Sequence, residues 1–172
     1  MESRAKLFGH PIHQQLIAFP IGLLATAVVF DIYFLVTRRG GAEQAAYWMI
    51  AVGVVAGLAA AIFGLIDWLA IPANTRAKRV GLLHGVGNVV VVALFAVSWY
   101  MRHPNKTGTT AAIVLAILGG ALSLVTGWLG GELVDRLGVG VDDGAHLDAP
   151  SSLSGQSARG TATGGAATTS RV

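Results

Sequence analysis

Three histidines and three carboxylates hold most of the chemistry open to this sequence. His10 and His13 precede the first long apolar run, and Asp67 closes the second. His84 lies in the first turns of the third, and Glu132 and Asp135 close the fourth. If the four runs alternate in direction, all six residues fall near one face of the assembly. Ionisable groups at the ends of apolar segments are costly to keep there, so they are functional candidates by default. His84 is the sharpest, standing five positions beyond Arg79, the last charge before it. Asn88 follows one turn later on the same helix face.

Three kinds of chemistry suit such a cluster. The first is a structural knot in which imidazoles and carboxylates pin helix ends together without activity. The second is b-type haem held by two neutral imidazoles at matching depth on helices that face each other. His13 or His10, paired with His84, meets that depth requirement. Asp67 would orient one ring, and Gly85 and Gly87 would leave room for a flat macrocycle. The third is a carboxylate–histidine site for a divalent metal or a proton relay, or else a quinone pocket. His10 and His13 are spaced to share a helix face if the first helix begins early, with Pro11 in its first turn. Asp67 or Glu132 could complete the ligand set. The residues alone leave all three open; among active roles, electron transfer through haem leads. Asp31, near the opposite end of the first run, is a lesser candidate that either pairs with Arg102 or merely reaches the interface. His103 and His146 are expected to be solvated.

Several chemistries are excluded. With no cysteine in 172 residues there is no disulfide, thiolate zinc site or covalently attached haem. No phosphate-binding loop, dinucleotide fingerprint or nucleophile elbow occurs. Lys and Arg are scattered rather than striped, so no nucleic-acid footprint is present.

Such a cluster needs elements that carry its members to one depth. Charged residues make up 12% of the chain and hydrophobic ones 53%, with mean hydropathy +0.63. A soluble domain carries about 25% charge, so lipid is the expected solvent. Four runs, about residues 15–36, 46–66, 80–101 and 110–133, each reach the roughly 20 residues that cross a bilayer. In lipid they must be helical, because every backbone N–H and C=O needs an internal partner. Short connections make neighbours antiparallel, which predicts an all-α, up-down-up-down four-helix membrane bundle over residues 1–141. Both chain ends then share one side, here called the near face.

Arg4, Lys6, Arg76, Lys78, Arg79 and Arg136 belong to the near face, and Arg38, Arg39, Arg102 and Lys106 to the far face. That bias points to cytoplasmic termini. Small residues every fourth position predict close helix packing: Gly53, Gly57 and Ala61, then Gly81 and Gly85, then Gly119, Ser123, Gly127 and Gly131. Residues 142–172 turn to Ser, Thr, Gly and Ala and are expected to form a disordered tail.

Gly9-His10-Pro11-Ile12-His13 with Phe19-Pro20-Ile21-Gly22-Leu23, then Gly64-Leu65-Ile66-Asp67-Trp68 with Ile71-Pro72 and His84, form a recognisable set. Gly127 to Val134 and Gly138 to Val141 complete it. Over roughly residues 8 to 141 the chain resembles the domain-of-unknown-function 2231 family of bacterial membrane proteins. The resemblance implies a compact four-helix membrane domain without an established activity. Some relatives carry Rieske-type or cytochrome-like domains, which implies electron transfer by association. Relatives often have Tyr and His where this chain has Asp135 and Leu137, which counts against a ligand from the fourth helix. His10, His13, Asp67 and His84 are the positions carried over. The expectation is therefore a multi-pass protein of the bacterial inner membrane. Its partners are the bilayer and a redox or other membrane protein, and electron transfer through haem b is its leading active role. A non-catalytic scaffold or partner-binding subunit is the alternative, and enzymatic turnover is not favoured.

Overall fold

The computed structural model describes residues 1–103 and 108–161. The four apolar runs fold into four helices long and apolar enough to span a membrane: Ile12–Thr37, Gly40–Ala70, Arg76–Arg102 and Thr110–Arg136. The first is broken into α1 (Ile12–Leu16) and α2 (Ala18–Thr37). α3 is Gly40–Ala70, α4 is Arg76–Arg102, and α5 is Thr110–Gly131, continued by a π-turn at Glu132–Arg136. α3 and α4 begin at Gly40 and Arg76 rather than near residues 46 and 80, and α3 ends at Ala70 rather than near residue 66. Thr75 and Thr109 accept side-chain hydrogen bonds from Lys78 N and Ala112 N at the starts of α4 and α5. α2 stops where Arg38 turns left-handed, and Arg38 and Arg39 are the whole link to α3.

Helix order is up-down-up-down. α2 packs along α3 and α4 along α5, while α3 against α4 and α2 against α5 close the ring. α2 and α4 therefore lie on a diagonal. The centre is filled by Leu24, Ala27, Ala46, Ile50, Val91, Phe95 and Ala116. The outer faces are apolar: Leu58, Val89 and Leu124 are 56%, 64% and 76% exposed. A soluble fold would bury such faces; here they meet lipid.

The four-residue stripe expected on α5 is corrected. Gly119 is tightly packed, since a Cβ there would lie 2.9 Å from Phe95 Cε2, but Gly127 and Gly131 face open space. Four-residue steps on a 3.6-residue helix drift by roughly 40° each, so such a stripe leaves the interface within two turns. The buried positions instead step by three and four: Ala112, Ala116, Gly119 and Thr126. Ala61 on α3 and Gly85 on α4 likewise face outward or open space.

A small ribbon precedes α1: β1 (Lys6–Leu7) pairs antiparallel with β2 (His10–Pro11). Phe8 and Gly9 between them both have positive φ, 52° and 83°, the pattern of a tight two-residue hairpin. Residues 142–161 run back over this ribbon. Lys6 pairs with Glu2 at 2.8 Å and also with Asp142, and Ser152 Oγ donates to Phe8 O at 3.1 Å. The rest of the expected tail, residues 162–172, lies outside the described residues.

Candidate functional site

His13 owes its position to Pro20. Proline has no N–H to give to the carbonyl four residues earlier, and its ring crowds that carbonyl. Leu16 holds that position, and the helix breaks just after it, at Ile17. The break leaves α1 as a separate turn packed on α3. His13 Nδ1 lies 2.8 Å from Ala60 O on α3. His84, on α4, makes the same bond to α5, with Nδ1 2.8 Å from Thr126 O. Because a carbonyl only accepts, each Nδ1 carries the proton, and in the neutral ring the lone pair lies on Nε2.

Glycine makes both bonds possible. The residue four positions after a helical carbonyl stands over it, and its Cβ would shield the carbonyl's second lone pair. Gly64 and Gly130 occupy those places. A Cβ on Gly64 would lie 2.9 Å from His13 Nδ1, and one on Gly130 would lie 3.1 Å from His84 Cε1. The two imidazoles then meet in a T-shaped contact, centroids 6.3 Å apart and planes at 86°. Asn88 Nδ2 lies 3.2 Å from His84 Nε2 and donates to His84 O at 2.9 Å. Thr126 Oγ1 donates to Asn88 Oδ1 at 3.1 Å, fixing that amide.

The other expected members sit elsewhere. Asp67 does not orient an imidazole: it accepts from Ser3 Oγ and Arg4 N at 2.8 Å each, tying the N-terminal segment to the end of α3. Backbone carbonyls took the orienting role, because both rings lie deeper than Asp67 along their helices. His10 lies on the exposed ribbon, with Nε2 3.4 Å from Ser152 Oγ, and does not join the pair. Glu132 binds Arg76 at 2.6 Å. Among the described residues no group of three or more His, Cys, Asp or Glu could hold a metal ion, so the expected carboxylate–histidine site is not assembled. Gly87, expected to make room for a macrocycle, is closed: a Cβ there would lie 2.6 Å from Thr126 Cγ2, whereas Gly85 is open.

Asp31 and Arg102 form a pair at the far end, both fully buried. His103 is not simply solvated: its Nδ1 lies 3.3 Å from Tyr47 Oη, and its ring tilts against Trp99. Sequence reasoning missed Ala60, Gly64, Thr126 and Gly130. Only the glycines carried a signal, each lying two or three residues before an acidic residue near a helix end.

Residues 9–143, which include all four spans, match a family model described as predicted membrane protein (DUF2231). The chain belongs to this family. The matched stretch of this DUF2231 protein contains His13, His84, both carbonyls and both glycines. No curated protein and no solved structure matches the chain.

Proposed function

We propose that His13 and His84 would hold a b-type haem, and that the protein transfers electrons within the membrane. The observation that carries this reading is the imidazole pair, each ring held through Nδ1 by a carbonyl of the neighbouring helix. That arrangement leaves the Nε2 lone pairs for a metal, and a ligating histidine typically donates its other N–H in this way. Two neutral imidazoles with centroids 6.3 Å apart would hold one metal between them if both Nε2 atoms turned toward it. The donor set of two neutral imidazoles with no thiolate or carboxylate is that of a b-type haem. When bound, haem would supply a one-electron couple. The chain's own part is to fix both rings through Ala60 O and Thr126 O. The apolar layer of Leu24 and Phe95 keeps water from the centre of the bundle. Asn88 Nδ2 lies 3.2 Å from His84 Nε2, so a metal at that nitrogen would have to displace an amide that Thr126 holds.

A second reading has its own support: the same bonds pin α1 to α3 and α4 to α5, which is work enough for a structural knot. A visible spectrum of protein expressed with adequate haem separates the two. The haem reading expects a Soret band that His13→Ala and His84→Ala each abolish or convert to a weaker five-coordinate form. Protein with no absorbance beyond its aromatic bands, and with both variants merely less stable, leaves the knot.

The near face is read as cytoplasmic, in a bacterial inner membrane. Arg102 is sequestered by Asp31, which reduces the far-face loop bases to Arg38, Arg39 and Lys106 against six on the near face.

A further inference from the structure

The two helical hairpins repeat one another. Asp31 and Arg102 are 71 positions apart. The same shift carries His13 to His84, Leu24 to Phe95 and Ala27 to Ser98. Each of the last two pairs is buried at both positions. On the returning helices another single shift carries Ala46 to Ala112, Ile50 to Ala116 and Gly53 to Gly119, again buried throughout. It also carries Ala60 to Thr126 and Gly64 to Gly130.

Contacts repeat as well as positions. A Cβ on Gly53 would meet Leu24 Cδ2 at 2.6 Å, and one on Gly119 would meet Phe95 Cε2 at 2.9 Å. His13 bonds Ala60 O and rests on Gly64, just as His84 bonds Thr126 O and rests on Gly130. Both hairpins start at the near face, so a rotation about the membrane normal relates them, as in parallel repeats. Equivalent residues can touch only beside such an axis, as at an isologous interface. His13 touches His84 at the near end, and Asp31 touches Arg102 at the far end.

We infer that the chain is two copies of one helical hairpin about a two-fold axis, and that the imidazole pair consists of two equivalent half-sites. Each half-site is a histidine, a carbonyl on the next helix, and the glycine one turn beyond that carbonyl. Gly64 and Gly130 are the positioning residues for His13 and His84. The equivalence is one of the ring anchors: Asn88, 3.2 Å from His84 Nε2, has Ile17 as its counterpart, so the surroundings of the two Nε2 atoms differ. The inference concerns the site proposed above but holds whether or not haem is its ligand. The two halves differ most where identity would be intolerable: like residues at 31 and 102 would bring two equal charges together in a buried site.

Nitrogen NMR of the full-length protein in micelles, labelled with [15N]histidine, tests the half-sites without any cofactor. His13→Gln and His84→Gln variants assign the signals. The expected result is the same Nδ1–H tautomer for His13 and His84. Gly64→Ala shifts the His13 resonances and leaves those of His84, and Gly130→Ala does the reverse. Different tautomers in the unmodified protein overturn equivalence, and so does a glycine substitution that moves neither ring or both alike. Charge reversal tests the axis independently. Asp31→Arg with Arg102→Asp should remain monodisperse in detergent while each single change aggregates. A double variant that fails as the singles do overturns the two-fold relation. A missing Soret band would sink the haem reading alone and leave these results untouched.

Discussion

The Arg102 guanidinium grips the Asp31 carboxylate with two parallel hydrogen bonds, Nη1 to Oδ1 at 2.6 Å and Nη2 to Oδ2 at 2.7 Å. Nη2 also donates to Ser98 Oγ, whose hydroxyl in turn donates to Ala112 O. The pair thus joins α2, α4 and α5. Removing one partner of a buried pair leaves an uncompensated charge and costs about 3–5 kcal/mol, whereas replacing both by apolar residues is often neutral. Arg102→Met alone should lower the detergent melting temperature sharply, and Asp31→Leu with Arg102→Met should recover most of the loss. Thermal unfolding followed by circular dichroism reads both; equal losses in the single and double variants contradict it.

Glycine packing makes a second, positional prediction. Gly119→Leu drives a side chain into Phe95 and should destabilise by about 1–3 kcal/mol, the usual cost of overpacking. Gly127→Leu points into open space and should change stability little. Parallel unfolding curves for the two variants would place both glycines outside the interface.

The clasp at the near face should respond to pH. Lys6, paired with Asp142 and Glu2, has its ammonium pKa raised above the ordinary 10.5 by those hydrogen bonds. Glu2 is held below its ordinary 4.5 by its hydrogen bond to Lys6 and by the Asp143 N–H. The glutamate's contribution is present above pH 4.5 and is lost as pH falls through its lowered value. The lysine's contribution is present below pH 10.5 and is lost as pH rises through its raised value. The clasp, which also includes Asp143 and Arg159, should therefore hold between these limits and loosen on either side. Hydrogen exchange at the Asp143 amide, which donates to Glu2, should quicken in acid beyond its intrinsic rate. A protection factor that Glu2→Gln leaves unchanged would show that Glu2 does not hold the segment.

Topology is checked by reporter fusions after Gly41, Asn74 and Lys106 and at the C-terminus. The expected pattern alternates, with the Asn74 and C-terminal reporters both cytoplasmic. A periplasmic reading at both would reverse the orientation and leave the bundle intact.

Four spans, their direction and the shared depth of His13 and His84 were legible, because lipid leaves a chain few options and composition reveals the solvent. The Asp31–Arg102 pair was legible as one of two options, since Asp31 could equally have reached the interface, and its burial at the pair decided between them. The orienting groups were not. Ala60 and Thr126 act through backbone carbonyls, which every residue possesses, and Gly64 and Gly130 act by what they lack. Asp67 looked like the natural partner for an imidazole, but it lies beyond the histidines and binds the chain's first turn instead. The repeat was hidden because its halves agree in burial and contact while differing in identity, as at Leu24 and Phe95.

Arg38 and Arg39 are the entire connection between α2 and α3. Two residues cannot rise into a lobe or present a recognition loop, so half of the far surface is little more than helix ends at headgroup level. A water-soluble partner would find little relief to grasp along that link. The other side offers a ribbon, the returning 142–161 segment and a cluster of exposed charges. Among the described residues, the folded relief outside the spans therefore lies on the side of the N-terminal ribbon.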